Sequence, residues 1–320
     1  MAVSGFWGTW QRDITRGAAL FSGVLAVGLF AHYMVARVRE RVATELPGAL
    51  RSLRDNFRDN LDGPAEPSAT GGARTSAARW HYGAALGPKQ WVWIHNSNGS
   101  VRVEPTKGDS LEVTAVKSSH RSDVASVQVV AVPYDGGVAI CAVAAGSEAR
   151  CEPGVDFKLS PLRHNDVAVE FTVHVPRGVA VGATTVNGGV HVRGASAPIR
   201  AVTVNGDVDT ETAAGPVEAV SVNGSVRARL HGFADSGAVK LVTVNGSITV
   251  ELPPHLDAVV EATAVTGSIH SDYPLPATGR LLGHKLAGTV GAGGRQVTLH
   301  TVNGSITLKK LFQGAAAAGK

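Results

Sequence analysis

A phrase of six residues recurs six times between Gly182 and Lys310, and this repeat constrains the fold more than any other feature. Its forms are Thr-Val-Asn-Gly-Gly-Val, Thr-Val-Asn-Gly-Asp-Val, Ser-Val-Asn-Gly-Ser-Val, Thr-Val-Asn-Gly-Ser-Ile (twice) and Ala-Val-Thr-Gly-Ser-Ile. The central pairs follow one another at steps of 18, 18, 22, 21 and 37 residues, the last step being close to two periods. They are Asn187-Gly188, Asn205-Gly206, Asn223-Gly224, Asn245-Gly246, Thr266-Gly267 and Asn303-Gly304. Self-similarity at about 20 residues indicates a repeat architecture, in which each unit buries its apolar face against its neighbours.

The residues around each central pair alternate between apolar and polar, which is typical of half-buried strands. A two-residue hairpin at Asn-Gly would pair Val204 with Asp207 and Thr203 with Val208, mixing the buried and the exposed faces. We therefore predict that the chain bends at each pair and continues into the next side of a single-stranded parallel β-solenoid. Glycine would supply the left-handed backbone that such a corner needs. A meander of hairpins with three-residue loops is the alternative.

Stacking of successive repeats would align the asparagine side chains into a ladder of amide hydrogen bonds. Thr266 replaces asparagine in the fifth copy and would interrupt this ladder. The interior would contain a second ladder, formed by Val186, Val204, Val222 and Val244.

The segments outside the repeats predict a membrane anchor. A short tail (1–16) precedes 20 residues without a formal charge (17–36), enough to cross about 30 Å of hydrocarbon as a helix. We favour a retained transmembrane helix over a cleaved signal peptide, because no small-residue cleavage site follows. The spacing of apolar residues in 37–61 predicts an amphipathic helix, either a self-associating stalk, a helix on lipid headgroups or one packed on its own domain.

The remaining boundaries follow from composition. Residues 62–89 are rich in Gly, Pro, Ala and Ser and predict a flexible linker. The solenoid spans 90–310, and a disordered tail covers 311–320. Aromatic residues in 91–94 are expected to cap the open end of the solenoid, with an exposed binding platform as the alternative.

Charge and cysteine content limit the partners and the compartment. The net charge of +4 comes largely from the first 60 residues, so we expect no nucleic-acid partner. Cys141 and Cys151 either form a disulfide, if the domain is exported, or remain two buried thiols. We expect the solenoid to be extracytoplasmic, whereas a positive-inside count of the arginines after the span would keep it in the cytoplasm.

Several phrases in 90–310 resemble the bacterial adhesin-like repeat family. They are Phe171–Pro176, Ala183–Gly188, Ile248–Pro253, Thr266–Pro274, Gly288–Gly294, Leu299–Leu308, and Ala139–Ala142 with Cys151 after it. The resemblance implies a right-handed β-helix, a location in the cell envelope and a role in adhesion. It supplies no catalytic residues.

The residues themselves predict a binding or structural protein rather than an enzyme. Glycoside hydrolysis needs two placed carboxylates, and the best pair available is Asp207 and Asp209. No carboxylate recurs at one position of successive repeats, and no His or Cys has metal-ligand spacing, so we expect no cofactor and no metal. The leading hypothesis is a membrane-anchored solenoid whose face binds an unknown protein or glycan, or builds envelope structure. The alternatives are an accessory of a membrane signalling system and, less favoured, a carbohydrate-active enzyme.

Overall fold

Two large β-sheets account for almost all of the described structure. The computed structural model describes residues 76–146, 151–154, 165–213, 215–233, 237–278 and 284–311. Within them, sheet A has the spatial order β1 (Ser76–Ala85), β4 (Ser110–Ser119), β7 (Ala168–Val175), β3 (Val101–Pro105), β9 (Val190–Ala195), β11 (Val208–Thr212), β13 (Val226–Leu230), β15 (Ile248–Leu252), β21 (Ile306–Lys310) and β17 (Ile269–Ser271). Sheet B has the order β18 (Ala277–Thr278), β19 (His284–Val290), β16 (Ala258–Thr266), β20 (Arg295–Asn303), β14 (Ala238–Asn245), β12 (Val217–Asn223), β10 (Ile199–Asn205), β8 (Ala180–Asn187), β2 (Trp91–His95), β6 (Gly137–Ala144) and β5 (Val127–Tyr134). A single 3-10 turn, Val124–Ser126, precedes β5.

Each repeat contributes one strand to sheet B and the following strand to sheet A, and we call this pair of strands a rung. Neighbouring rungs pair in parallel and in register, so that Asn205 lies beside Asn187 on one side and Asn223 on the other. Sheet A repeats this parallel pairing from β9 to β11, β13, β15 and β21. The predicted all-β, parallel repeat architecture is therefore confirmed. The hairpin meander is wrong, because consecutive strands of a repeat belong to different sheets.

The core lies between the two sheets, but the valines predicted to fill it do not. In β10, Ile199 and Ala201 belong to the core, and Val208 of β11 joins them from the other sheet. Val204 is three positions after Ala201, so its side chain points to the opposite face of the strand. It therefore lies on the outer face of sheet B, as do Val186, Val222 and Val244 in the other rungs. The prediction failed because the three corner residues after Val204 change the phase of the alternation between the two strands.

The last rung in the chain is not the last rung in space. Strand β20 lies between β14 and β16, and β21 lies between β15 and β17. Along the chain, β16 and β17 come before β20 and β21. The chain then reverses through β18 and β19, and β20 and β21 pair between the fourth and fifth copies of the repeat. Because β19 runs antiparallel to β16, the step of 37 residues is a reversal rather than two periods in one direction.

The first part of the described chain also departs from the expected order. Residues 76–85, expected to be linker, form β1, which pairs with β4 over its whole length. Trp80 and Tyr82 face the same side of β1, and their ring centroids are 5.9 Å apart. The many Ala and Gly residues around them hide this strand pattern in the sequence. Residues 91–94 belong to β2, which lies between β6 and β8 and therefore caps no open end.

Antiparallel strands flank the parallel rungs at both ends, through β1, β4 and β5 on one side and β18 and β19 on the other. Over the described parts of the chain, no helix has the length and apolar character needed to cross a membrane. The expected tail (1–16), transmembrane helix (17–36) and amphipathic helix (37–61) lie outside the described residues, as does 312–320 of the C-terminal tail.

Candidate functional site

The Asn-Gly corners form two parallel ladders along one edge of the solenoid. In the first, the side-chain amide of each asparagine donates to the amide oxygen of its neighbour, with N–O distances of 2.7–2.9 Å. In the second, the glycines stack so closely that a Cβ on Gly206 would lie 2.2 Å from the carbonyl oxygen of Gly188. Gly188, Gly267 and Gly304 have the positive φ that we predicted for a corner, between +111° and +152°, whereas Gly206, Gly224 and Gly246 do not. Glycine is needed here because the next backbone is too close for a side chain.

Thr266 terminates the asparagine ladder and does not interrupt it. The order in space is Asn187, Asn205, Asn223, Asn245, Asn303 and then Thr266, because the last rung occupies the gap before the fifth copy. The Thr266 hydroxyl donates to the side-chain oxygen of Asn303 at 3.0 Å. At the other end, Asn98 of the weak first copy forms a parallel bridge with Asn187.

The outer face of sheet A carries a column of side chains whose charge alternates from strand to strand. The register places Glu211 beside Arg229, Arg229 beside Glu251, and Glu251 beside Lys309. Arg229 Nε and Glu251 Oε2 are 2.8 Å apart, and this hydrogen bond raises the pKa of Arg229. Opposite charges on directly paired strands stabilise the pairing, whereas like charges oppose it. The column therefore favours one order of rungs over others.

The carboxylates proposed as a catalytic pair have separate partners. Asp207 Oδ1 accepts a hydrogen bond from the Ser225 amide at 2.7 Å, across two rungs of the corner. Asp209 lies on the outer face of sheet A, beside Arg227 in register. The described residues contain no group of three or more His, Cys, Asp or Glu side chains that could hold a metal ion.

The aromatic residues of β2 form a covered stack rather than an exposed platform. Trp93 stacks on Trp91 at 4.8 Å and on His95 at 6.3 Å, and only 5% of Trp93 is exposed. Its indole N–H donates to the Tyr134 hydroxyl at 3.1 Å. Gly182 of the neighbouring strand makes room for the ring, since a Cβ there would lie 1.9 Å from it.

A disulfide between Cys141 and Cys151 closes a loop beside this stack, with the Cα atoms 5.7 Å apart. Cys141 lies next to His95 in register, and His95 Nε2 is 3.1 Å from the carbonyl oxygen of Glu152. Because a carbonyl only accepts, this imidazole nitrogen carries the proton. Burial lowers the pKa of His95 from 6.5 to about 4. The imidazole is therefore neutral at physiological pH and holds the disulfide loop against the sheet.

A cavity of about 270 Å³ opens at the corner opposite the asparagine ladder, where the chain turns from sheet A to sheet B. Its lining includes Arg177, Arg193 and Ser196. Sequence reasoning did not identify it, because its residues come from four separate segments and no motif connects them.

Comparison with known proteins identifies the repeat region. Residues 166–309 match the model of the family described as Toastrack DUF4097. A solved structure described as a "putative cell adhesion protein", from Clostridium sporogenes, aligns over 73% of this chain and 100% of its own, at 11% identity and a TM-score of 0.44. A "putative adhesin" from Bacteroides fragilis aligns over 74% and 98%, at 15% identity and a TM-score of 0.35. These values are too low to carry a functional argument. No curated protein matches the chain.

Proposed function

Residues 166–309 match the Toastrack family model, and from that match we propose that the chain is a non-enzymatic surface protein of the cell envelope. Its right-handed solenoid presents the outer face of sheet A to a glycan or protein partner, which serves adhesion or surface binding. Residues 17–36 anchor it in the membrane as a single span, the solenoid is extracytoplasmic, and residues 37–61 associate with a second copy.

The observation that carries this proposal is the polar, regular face of sheet A. Strands about 4.8 Å apart present their outward side chains in straight columns, with Arg227 and Arg229 exposed on neighbouring columns. By contrast, the outward valines of sheet B, Val202, Val220 and Val242, are 0%, 0% and 4% exposed. A partner can therefore reach the columns of sheet A but not these valines.

Two further observations support a binding role in an oxidising compartment. Glu251 and Glu211 are engaged by Arg229 and His231, at 2.8 Å and 2.9 Å. Carboxylates whose oxygens are held by neighbouring side chains are poorly placed for general acid or base chemistry. The disulfide favours a location outside the cytoplasm, where such bonds persist.

Location can be tested with one introduced thiol. Val132 is 42% exposed, and both native cysteines are held in the disulfide, so Val132→Cys gives a single reactive site. A membrane-impermeant maleimide should label intact cells that express this variant, and deletion of 17–36 should release the chain from the membrane fraction. Labelling only after permeabilisation would place the domain in the cytoplasm and favour the signalling accessory instead.

Binding can be tested by the adhesion of expressing cells to mucin-coated surfaces, which present acidic glycans on protein. We expect Arg227→Gln combined with Arg229→Gln to reduce adhesion about tenfold. Arg200→Gln is the matched control, because Arg200 is exposed but lies in sheet B. Adhesion by wild-type cells no greater than by cells lacking the chain would contradict the binding role.

A further inference from the structure

The cavity opposite the asparagine ladder exists because strand β9 is irregular at its end. The register between β9 and β11 shifts between Thr210 and Thr212, and Gly194 has a φ of +61°. A Cβ on Gly194 would lie 3.0 Å from the Pro105 ring. Bulges of this kind re-aim side chains and interrupt regular pairing. The regular pairing of β3 with β9 ends at Val103 and Val192, and the residues beyond this point line the cavity.

The floor of this cavity is apolar and belongs to the core. It is formed by the side chains of Val103, Val175, Val179 and Val181, all of which are 7% exposed or less. Pro105 and Pro176 line its sides, and their rings have little conformational freedom. The valines close the cavity from below, and a ligand would contact the exposed Pro105 ring, a rigid surface that lowers the entropy cost of binding.

The rim of the cavity offers more hydrogen-bond donors than acceptors. Arg177 and Arg193 are both exposed, and neither forms an ion pair with a carboxylate among the residues that the structure describes. Ser196 Oγ accepts a hydrogen bond from the Gly178 amide at 2.9 Å, so its own hydroxyl hydrogen remains available to a ligand. Of the described residues lining the cavity, Glu104 is the one that carries a negative charge.

We infer that this cavity binds one acidic sugar unit of a glycan, with its carboxylate between Arg177 and Arg193. Guanidinium groups bind carboxylates through paired hydrogen bonds, and the C–H face of the sugar ring packs on the exposed Pro105 ring. A volume of about 270 Å³ is just below the range of about 300–1,000 Å³ for drug-sized ligands, which suits a single monosaccharide. The inference deepens the proposed function, since it names an acidic glycan as the partner and rests on that binding role.

The test is a titration of the purified full-length protein with D-glucuronate, with D-glucose as the uncharged control sugar. Methyl NMR signals of Val179 and Val181 report on the floor of the cavity. We expect D-glucuronate to shift these signals with a Kd of about 1 mM, the value typical of so small a ligand. D-Glucose should bind at least tenfold more weakly, because it lacks the carboxylate.

Arg177→Gln and Arg193→Gln should each weaken D-glucuronate binding about tenfold, the effect of losing one hydrogen bond between charged groups. Arg200→Gln is the matched control and should leave binding unchanged, since the Arg200 side chain is 48% exposed but lies in sheet B, outside the cavity. Equal binding by wild type and both cavity variants, or no shift of the valine signals at 50-fold the expected Kd (about 50 mM), would overturn the inference. Loss of mucin adhesion in the sheet A variants, with no effect of Arg177→Gln, would uphold the proposed function and reject this cavity.

Discussion

Substitution of Gly224 by alanine tests the close stacking of rungs at the glycine corner. The added Cβ would lie 2.0 Å from the carbonyl oxygen of Gly206 and 2.5 Å from its carbon, whereas ordinary contacts begin at 3.4 Å. Both of those atoms belong to the backbone of the next rung. No side chain can rotate away, so the two rungs must separate or the corner must distort.

Separation would stretch the hydrogen bonds that join these rungs. The nearest are Gly206 N–H to Asn223 O and Val208 N–H to Ser225 O, both at 3.0 Å, and the Asn223 side chain to Asn205 at 2.8 Å. At about 1 kcal/mol for each bond, the loss is about 3 kcal/mol. Overpacking in well-packed sites costs about 1–3 kcal/mol, so the two approaches agree.

We expect Gly224→Ala to lower the free energy of unfolding by about 3 kcal/mol, measured by urea denaturation and tryptophan fluorescence. Gly83→Ala is the control. Gly83 lies in β1, where a Cβ would make an ordinary contact at 3.8 Å with Leu111 O, so its effect should stay within about 0.5 kcal/mol. Equal stability of the two variants would refute the steric explanation for the glycine ladder.

Three further predictions concern the asparagine ladder, the charge column of sheet A and the buried histidine. Asn223→Ala removes one donated and one accepted amide bond, and Asn187→Ala removes one accepted bond, so the first should destabilise by about 1 kcal/mol more in the same urea assay. Lys309→Glu places a like charge beside Glu251 and should lower the free energy of unfolding by about 1–2 kcal/mol at low salt. The loss should be clearly smaller at 1 M salt, where charges are screened. A loss of stability that does not depend on salt would contradict the charge column. The pKa of His95 is about 4 when folded, so between pH 6.5 and pH 4 the unfolded state binds more protons. The free energy of unfolding should therefore fall by about 3 kcal/mol as pH drops through this window, and His95→Phe should lack this fall.

The repeats predicted much of the fold because their pattern is local. Alternation around Asn205-Gly206 indicated strands, and the failure of hairpin pairing at Val204 and Asp207 indicated a parallel arrangement. The asparagine ladder followed from equal positions in successive repeats. What the pattern misassigned was the phase across the corner, since the two residues between the strands, Gly206 and Asp207, decide which side chains of the next strand face the core.

The candidate sites were less accessible to sequence reasoning. The alternation of apolar and polar residues predicted half-buried strands, but the alternation of charge across sheet A appears only when strands are placed side by side. Arg177 and Arg193 are 16 positions apart and gave no motif. Their common cavity depends on a bulge at Gly194, which no alternation of apolar and polar residues indicates.

By itself, the sequence determined that this chain forms repeated strands, that Asn-Gly pairs stack, and that glycine is needed at each corner. Only the tertiary structure decided which rung lies beside which. All rungs offer nearly the same amide and backbone groups at the corner, so local pattern cannot rank their orders. Side chains away from the corner do distinguish between these orders. The inserted last rung places Lys309 beside Glu251, and the Lys310 amide donates to the Asp272 carboxylate at 3.1 Å. Without that rung, Glu251 and Asp272 would face each other across β15 and the chain that follows β17. Two like charges in that position oppose the pairing.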